Sequence, residues 1–198
     1  MSVPKGLILF RFLLSPIILY LAYFQGDSAR LLIVVLMYLG LLSDIFDGII
    51  ARYQNISSEK LRRLDSQTDM IFWLSIGFST WFLFPELIMK NIISIRIILS
   101  MEVLVYVISI IKFGKETCTH AFLSKIWGLT LLIAFTSLIG FSHAGTPFYI
   151  AIVLGIISHI DRILITLIIP KWTHDVPSSY HALLIRKGIS FKKYRFFN

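Results

Sequence analysis

Residues 44–69 read DIFDGIIARYQNISSEKLRRLDSQTD, and the reading of this stretch decides what kind of molecule the chain is. Asp44, Asp47, Gly48 and Ala51 stand at i, i+3, i+4 and i+7, so on an α-helix they share one stripe. Asp65 and Asp69, at i and i+4, share a stripe on a second helix. Both flanks are strongly apolar, which points to a lipid bilayer around them. An ionised carboxylate at membrane depth costs several kcal/mol or more unless something neutralises it. Four together also repel one another, so cations must belong to the site. Oxygen-only donors from paired carboxylates suit Mg²⁺ or Mn²⁺ rather than zinc, and no Cys or His cluster lies near them.

Composition agrees with that environment. Of 198 residues, 57% are hydrophobic and only 15% charged, with a mean hydropathy of +0.80. Such numbers describe a multi-span membrane protein rather than a soluble domain. At roughly 20 residues per span the length suits one domain of about six helices. The apolar runs 7–24, 31–53, 65–84, 88–111, 126–141 and 148–169 are the expected spans. Between the acidic stripes, residues 54–64 read as a basic loop holding Lys60, Arg62 and Arg63. A basic tail is expected over residues 171–198. The first apolar run is interrupted by Arg11 and followed by no small-residue cleavage site, which argues against a signal peptide. The single cysteine, Cys118, excludes an internal disulfide.

The net charge of +8 comes with no nucleic-acid-binding motif, so anionic lipid headgroups are the expected partner and nucleic acid is not. Threading the six spans puts fifteen of the 19 Lys and Arg residues on one side and only Arg30 and Lys90 on the other. Arg96 and Arg162 fall within spans. That asymmetry predicts that both termini and both acidic stripes are cytoplasmic.

The acidic stretch resembles the signature of the CDP-alcohol phosphotransferase family, D-x2-D-G-x2-A-R-x8-G-x3-D-x3-D. Asp44, Asp47, Gly48, Ala51, Arg52, Asp65 and Asp69 all fall on it, a coincidence expected about once in 10⁹ placements at average residue usage. Leu61 stands where the pattern has its second glycine, a residue that normally permits close backbone approach. Pro4, Leu7, Arg11 and Pro16 are spaced as in the opening of the family's phosphatidylglycerophosphate synthases. Lys5 and Ile8 replace the usual Asn and Thr there, so this second resemblance is partial.

The resemblance implies transfer of a phosphatidyl group from CDP-diacylglycerol to a hydroxyl acceptor, with release of CMP, in phospholipid synthesis. It implies two divalent ions held by Asp44, Asp47, Asp65 and Asp69, with Asp69 also taking the acceptor's proton. Gly48, Arg52 and Ser58 would contact the nucleotide-lipid, and small Ala51 on the same stripe leaves room for it. Lys125, at the entrance to the fifth run, resembles a lysine that the family places near the acceptor. Homodimerisation is implied as well. Glycerol 3-phosphate is the expected acceptor, with phosphatidylglycerol, inositol phosphate and serine as alternatives. Arg11 is open between a role at the lipid diphosphate and a snorkelling anchor.

Arg96, Glu102, His159, Asp161 and Arg162 are ionisable groups inside spans and are expected to pair with one another or support the site. Trp172, Tyr180 and Tyr194 read as interfacial belt residues. Two rival functions use the same sequence. A divalent-cation transporter would place its carboxylates at mid-membrane along a pore, whereas these cluster toward one face beside Arg52. An inactive relative kept as a scaffold has only Leu61 in its favour.

Overall fold

A computed structural model describes residues 2–54, 56, 58–119 and 121–190. Tyr194, and the tail beyond residue 190, lie outside the described residues. Among those described, the chain is helical throughout and contains no strand. Helix α1 (Val3–Tyr20) continues through a π-helical segment (Leu21–Gln25) and a 3-10 turn (Gly26–Ala29) into α2 (Arg30–Tyr53). Gly26 makes the reversal at φ +58°, a left-handed conformation that glycine adopts without steric cost. Then follow α3 (Glu59–Leu83), α4 (Pro85–Lys90), α5 (Ile92–Phe113) and α6 (Phe122–Phe135), which runs on as a π-helical segment (Thr136–Gly140). Helices α7 (Thr146–Ile168) and α8 (Ser179–Arg186) close the described chain.

Four helical runs are long and apolar enough to cross a membrane: Val3–Tyr53, Ile92–Phe113, Phe122–Gly140 and Thr146–Ile168. The first contains both α1 and α2, which fold back on each other and pack side by side. The chain is therefore a multi-pass membrane protein. Helix α3 has the length for a span, but its polar residues keep it outside that set.

The structure corrects two sequence readings and adds one element. Residues 59–64 are not loop but the opening of α3. Ser58 Oγ accepts the N–H of Leu61 at 3.3 Å, Glu59 meets the positive end of the helix, and Arg63 lies 4.0 Å from Glu59 one turn on. Lys60, Arg62 and Arg63 are thus helical. The fourth apolar run begins at Ile92 rather than residue 88, because Pro85 starts a separate short helix that ends at Lys90. The basic tail after Pro170 contains a helix, α8, that the sequence reading did not include.

The chain divides into two compact units. The first is Met1–Asn91 with Leu132–Phe148. In it α1 packs against both α2 and α3. Ile18, Ile33, Met37, Phe72, Ile76 and Ile139 are wholly or almost wholly buried and form its core. Helices α2 and α3 touch where Gly40 faces the Phe72 ring: a β-carbon at position 40 would collide with that ring.

The second unit is Ile92–Leu131 with Tyr149–Asn198. Lys112 Nζ donates to the Thr166, Leu167 and Ile169 carbonyls at 3.0, 2.7 and 2.9 Å. It thereby satisfies the open C-terminal end of α7 with a cation, which the helix dipole favours. Three of the spans' ionisable groups, Glu102, His159 and Arg162, meet here, while Arg96 is exposed. Glu102 accepts from Arg162 through both terminal nitrogens, at 2.6 and 3.1 Å, and lies 2.7 Å from His159 Nε2. Asp161, adjacent to Arg162 but turned about 100° away on the helix, accepts instead from the Ser179 N–H at 2.9 Å.

Candidate active site

The acidic site belongs to the first unit and is built from α1, α2 and α3. On α2, Gly40, Ser43, Asp47, Gly48 and Ala51 are buried while Ile45, Phe46 and Ile49 are exposed. The acidic stripe therefore faces inward and the apolar residues between its members face out. On α3, Leu61, Arg62, Asp65, Thr68 and Phe72 form the inward stripe. On α1, Pro4, Ile8, Arg11, Ser15 and Ile18 are buried, and Leu9, Phe10, Phe12 and Leu13 are exposed. Because α1 packs against both acidic helices, whatever its stripe carries at mid-length meets both sets of carboxylates.

It carries Arg11. The side chain is 1% exposed and its guanidinium reaches all four aspartates. Nη2 donates to Asp47 Oδ2 at 3.0 Å and to Asp65 Oδ1 at 2.5 Å. Nη1 lies 2.5 Å from Asp44 Oδ1 and 2.9 Å from Asp69 Oδ1. A charge this deep and this fully paired is no snorkelling anchor; that reading of Arg11 is set aside. Its Nε is buried with no acceptor among the described residues, a donor whose desolvation costs about 1–3 kcal/mol until something accepts from it.

The two nitrogens sort the carboxylates. Those on Nη2 are the buried pair, Asp47 at 3% and Asp65 at 6% side-chain exposure. Those on Nη1 are the open pair, Asp44 at 34% and Asp69 at 29%. One end of the site is thus sealed and the other is accessible.

The donor set fits a hard divalent cation. Asp44, Asp47 and Asp65 each offer a carboxylate oxygen, and the three lie within 4.8 Å of one another. Oxygens on opposite sides of an ion at 2.1–2.4 Å are separated by about 4.2–4.8 Å, so the cluster is the right size.

The remaining expected site residues take different positions. Gly48 is buried beneath Arg52: a β-carbon there would lie 3.4 Å from Arg52 Nη1. The guanidinium therefore folds back along the helix over Gly48. Ala51 is buried with Ile8 and Leu61 in a small cluster where the three helices meet. Leu61, in the place of the pattern's glycine, fills that contact. Ser58 is exposed and caps α3. Lys125 is an exposed residue of α6 in the second unit. The sequence reading missed Gly40, four residues before Asp44 on the acidic stripe of α2, and took Arg62 as a loop cation, whereas it is buried on the acidic stripe of α3, three residues before Asp65.

No curated protein and no solved structure matches the chain. A family profile described as CDP-alcohol phosphatidyltransferase does match, over residues 1–166. With the motif's aspartates gathered on two packed helices of a multi-pass membrane protein, the chain belongs to the CDP-alcohol phosphatidyltransferase family, transferases of phosphate-containing groups in phospholipid synthesis.

Proposed function

We propose that the chain transfers the phosphatidyl group of CDP-diacylglycerol to a hydroxyl acceptor, glycerol 3-phosphate before any other, and releases CMP. In this reading α1, α2, α3, α5, α6 and α7 are six spans of one domain, and the acidic site opens on the cytoplasmic side. The observation that carries it is the convergence of Asp44, Asp47, Asp65 and Asp69 on one buried cation, two of them open to an incoming molecule.

Asp69 is the base. It is one of the two carboxylates with an accessible edge, and reach to the hydroxyl comes before pKa in choosing a base. It takes the acceptor's proton as the hydroxyl oxygen attacks the lipid-side phosphorus. The anhydride bond breaks, and its electron pair leaves with CMP. Two ions, Mg²⁺ or Mn²⁺, held by the four aspartates would supply stabilisation of the charge that develops on the diphosphate. Arg52, lying over Gly48, presents a planar fork suited to phosphate oxygens. Arg11 is a second cation for the diphosphate, with a donor still unsatisfied at Nε. Ala51 sets how closely the three helices approach, and Ser58 holds the start of α3 beside the nucleotide. Lys125 is assigned to the acceptor's phosphate by family resemblance. A homodimer belongs to the same reading and is checked by the mass of the protein in a native membrane disc.

The test is CMP release from CDP-diacylglycerol by the purified protein, with Mg²⁺ or Mn²⁺, against glycerol 3-phosphate, phosphatidylglycerol, inositol phosphate and serine. Release is expected with glycerol 3-phosphate. Release with another member of the panel alone moves the acceptor, and no release with any of them overturns the reading.

A further inference from the structure

The segment after α7 is built to hold one face outward at the level where that helix ends. The Asp175 and Val176 N–H groups donate to the Cys118 and Thr119 carbonyls at 3.3 and 2.8 Å, and the Phe122 N–H returns a bond to the Pro177 carbonyl at 2.9 Å. Helix α8 then docks by Ala182 and Ile185 on Ile165, Ile169 and Val176. Its first N–H is held by Asp161, roughly two turns or 10 Å back from the end of α7. With α7 about 35 Å long and apolar enough to cross a bilayer, its C-terminal end lies at the boundary between acyl chains and headgroups, and α8 begins on the acyl side of that boundary.

The outward face has the matching chemistry. Tyr180, Leu183 and Lys187, at i, i+3 and i+7, are exposed, as are Arg186 and Ile189 just beyond. From residue 176 to 198 the sequence has no Asp or Glu and has five cations: Arg186, Lys187, Lys192, Lys193 and Arg195. Aromatic and aliphatic groups fixed at headgroup depth, among cations and without one carboxylate, complement a surface that is apolar beneath and negative above.

We infer that α8, with Arg186 and Lys187 at its end, forms a docking surface for the headgroup layer of an anionic lipid leaflet. Lys187 and Arg186 meet the lipid phosphates, while Tyr180 and Leu183 insert between headgroups. Each cation at such a surface contributes about fivefold in occupancy at ordinary ionic strength. Asp161 is the positioning residue that keeps the helix at this depth.

The experiment uses the full chain carrying Ser190→Cys, labelled with an environment-sensitive fluorophore; Cys118 is buried and stays unlabelled. The protein is reconstituted in phosphatidylcholine vesicles with or without phosphatidylglycerol. In the anionic vesicles the dye emission shifts to the blue and quenching by aqueous iodide slows about fivefold or more. High salt, or the paired change Arg186→Glu and Lys187→Glu, abolishes both effects. Equal signals in the two vesicles, or a shift that survives charge reversal, overturn the inference. A shift in neutral vesicles that grows with protein density also overturns it and gives the surface to a second copy of the chain. No transfer reaction enters the readout, so this result and that of the CMP assay are separate.

Discussion

Arg11 donates to Asp65 across 2.5 Å, so a cation from the first helix stands against an acidic helix that begins some fifty residues later in the chain. The same guanidinium holds Asp44 and Asp47 of α2. Removing one partner from a buried charge network is far costlier than the net worth of the network, because the remaining charges stay buried and uncompensated. This asymmetry makes Arg11 the most informative residue in the site.

Arg11→Ala is expected to lower the stability of the metal-free protein by about 3–5 kcal/mol. The loss should shrink when Mg²⁺ or Mn²⁺ is added, since a divalent ion can replace the missing charge among the same oxygens. Thermal unfolding in detergent, with and without metal, measures both. Equal melting temperatures for the variant and the parent would remove Arg11 from any electrostatic role.

Asp69→Asn keeps the shape of the side chain and removes its capacity to take a proton. If Asp69 is the base, CMP release should fall about 10²–10⁴-fold while helical content is retained. Full release by this variant would assign the proton to another group.

Gly40→Val should destabilise the fold by about 1–3 kcal/mol, because the added carbons meet the Phe72 ring. Combining it with Phe72→Ala should cost less than the sum of the two single changes, since the cavity left by one admits the other. Additive losses in thermal unfolding would mean that the two helices do not touch there.

Leu61→Gly restores the letter of the family signature yet is expected to weaken this chain. It deletes a buried side chain packed on Ile8 and Ala51, a loss of about 2–5 kcal/mol, and adds about 1 kcal/mol for glycine inside a helix. A gain in stability would show that Leu61 is tolerated rather than used.

Glu102→Gln should be more damaging than its single lost charge suggests. It replaces the two-pronged carboxylate facing Arg162 with a neutral amide that has one acceptor oxygen, and so cannot serve Arg162 and His159 as the carboxylate does. A loss of about 3–5 kcal/mol is expected for breaking the buried pair, partly recovered when Arg162→Met is added. Unfolding of the single and double variants decides it.

The membrane character, the helical class and the identity of the four aspartates were legible in the residues alone. Apolar runs of span length and carboxylates at i, i+3 and i+4 are properties of local sequence, and helical periodicity translates them directly into stripes. The start of α3 was misread because the charges of residues 59–63 look like loop, whereas Ser58 and Glu59 turn them into a capped helix. Helix α8 was missed for the opposite reason. Eight residues are too few to be helical on their own, and packing on α7 supplies what propensity does not.

The sequence by itself determined which chemistry is present: four carboxylates, a phosphate-suited arginine and an apolar frame, all written within single helical turns. Only the tertiary structure decided that Arg11 joins them, that Leu61 closes the contact left by a missing glycine, and that Asp44 and Asp69 are the open pair. Those facts depend on α1 packing against both α2 and α3. Local periodicity says which face a residue takes, but which faces meet is fixed by burial among segments far apart in the chain.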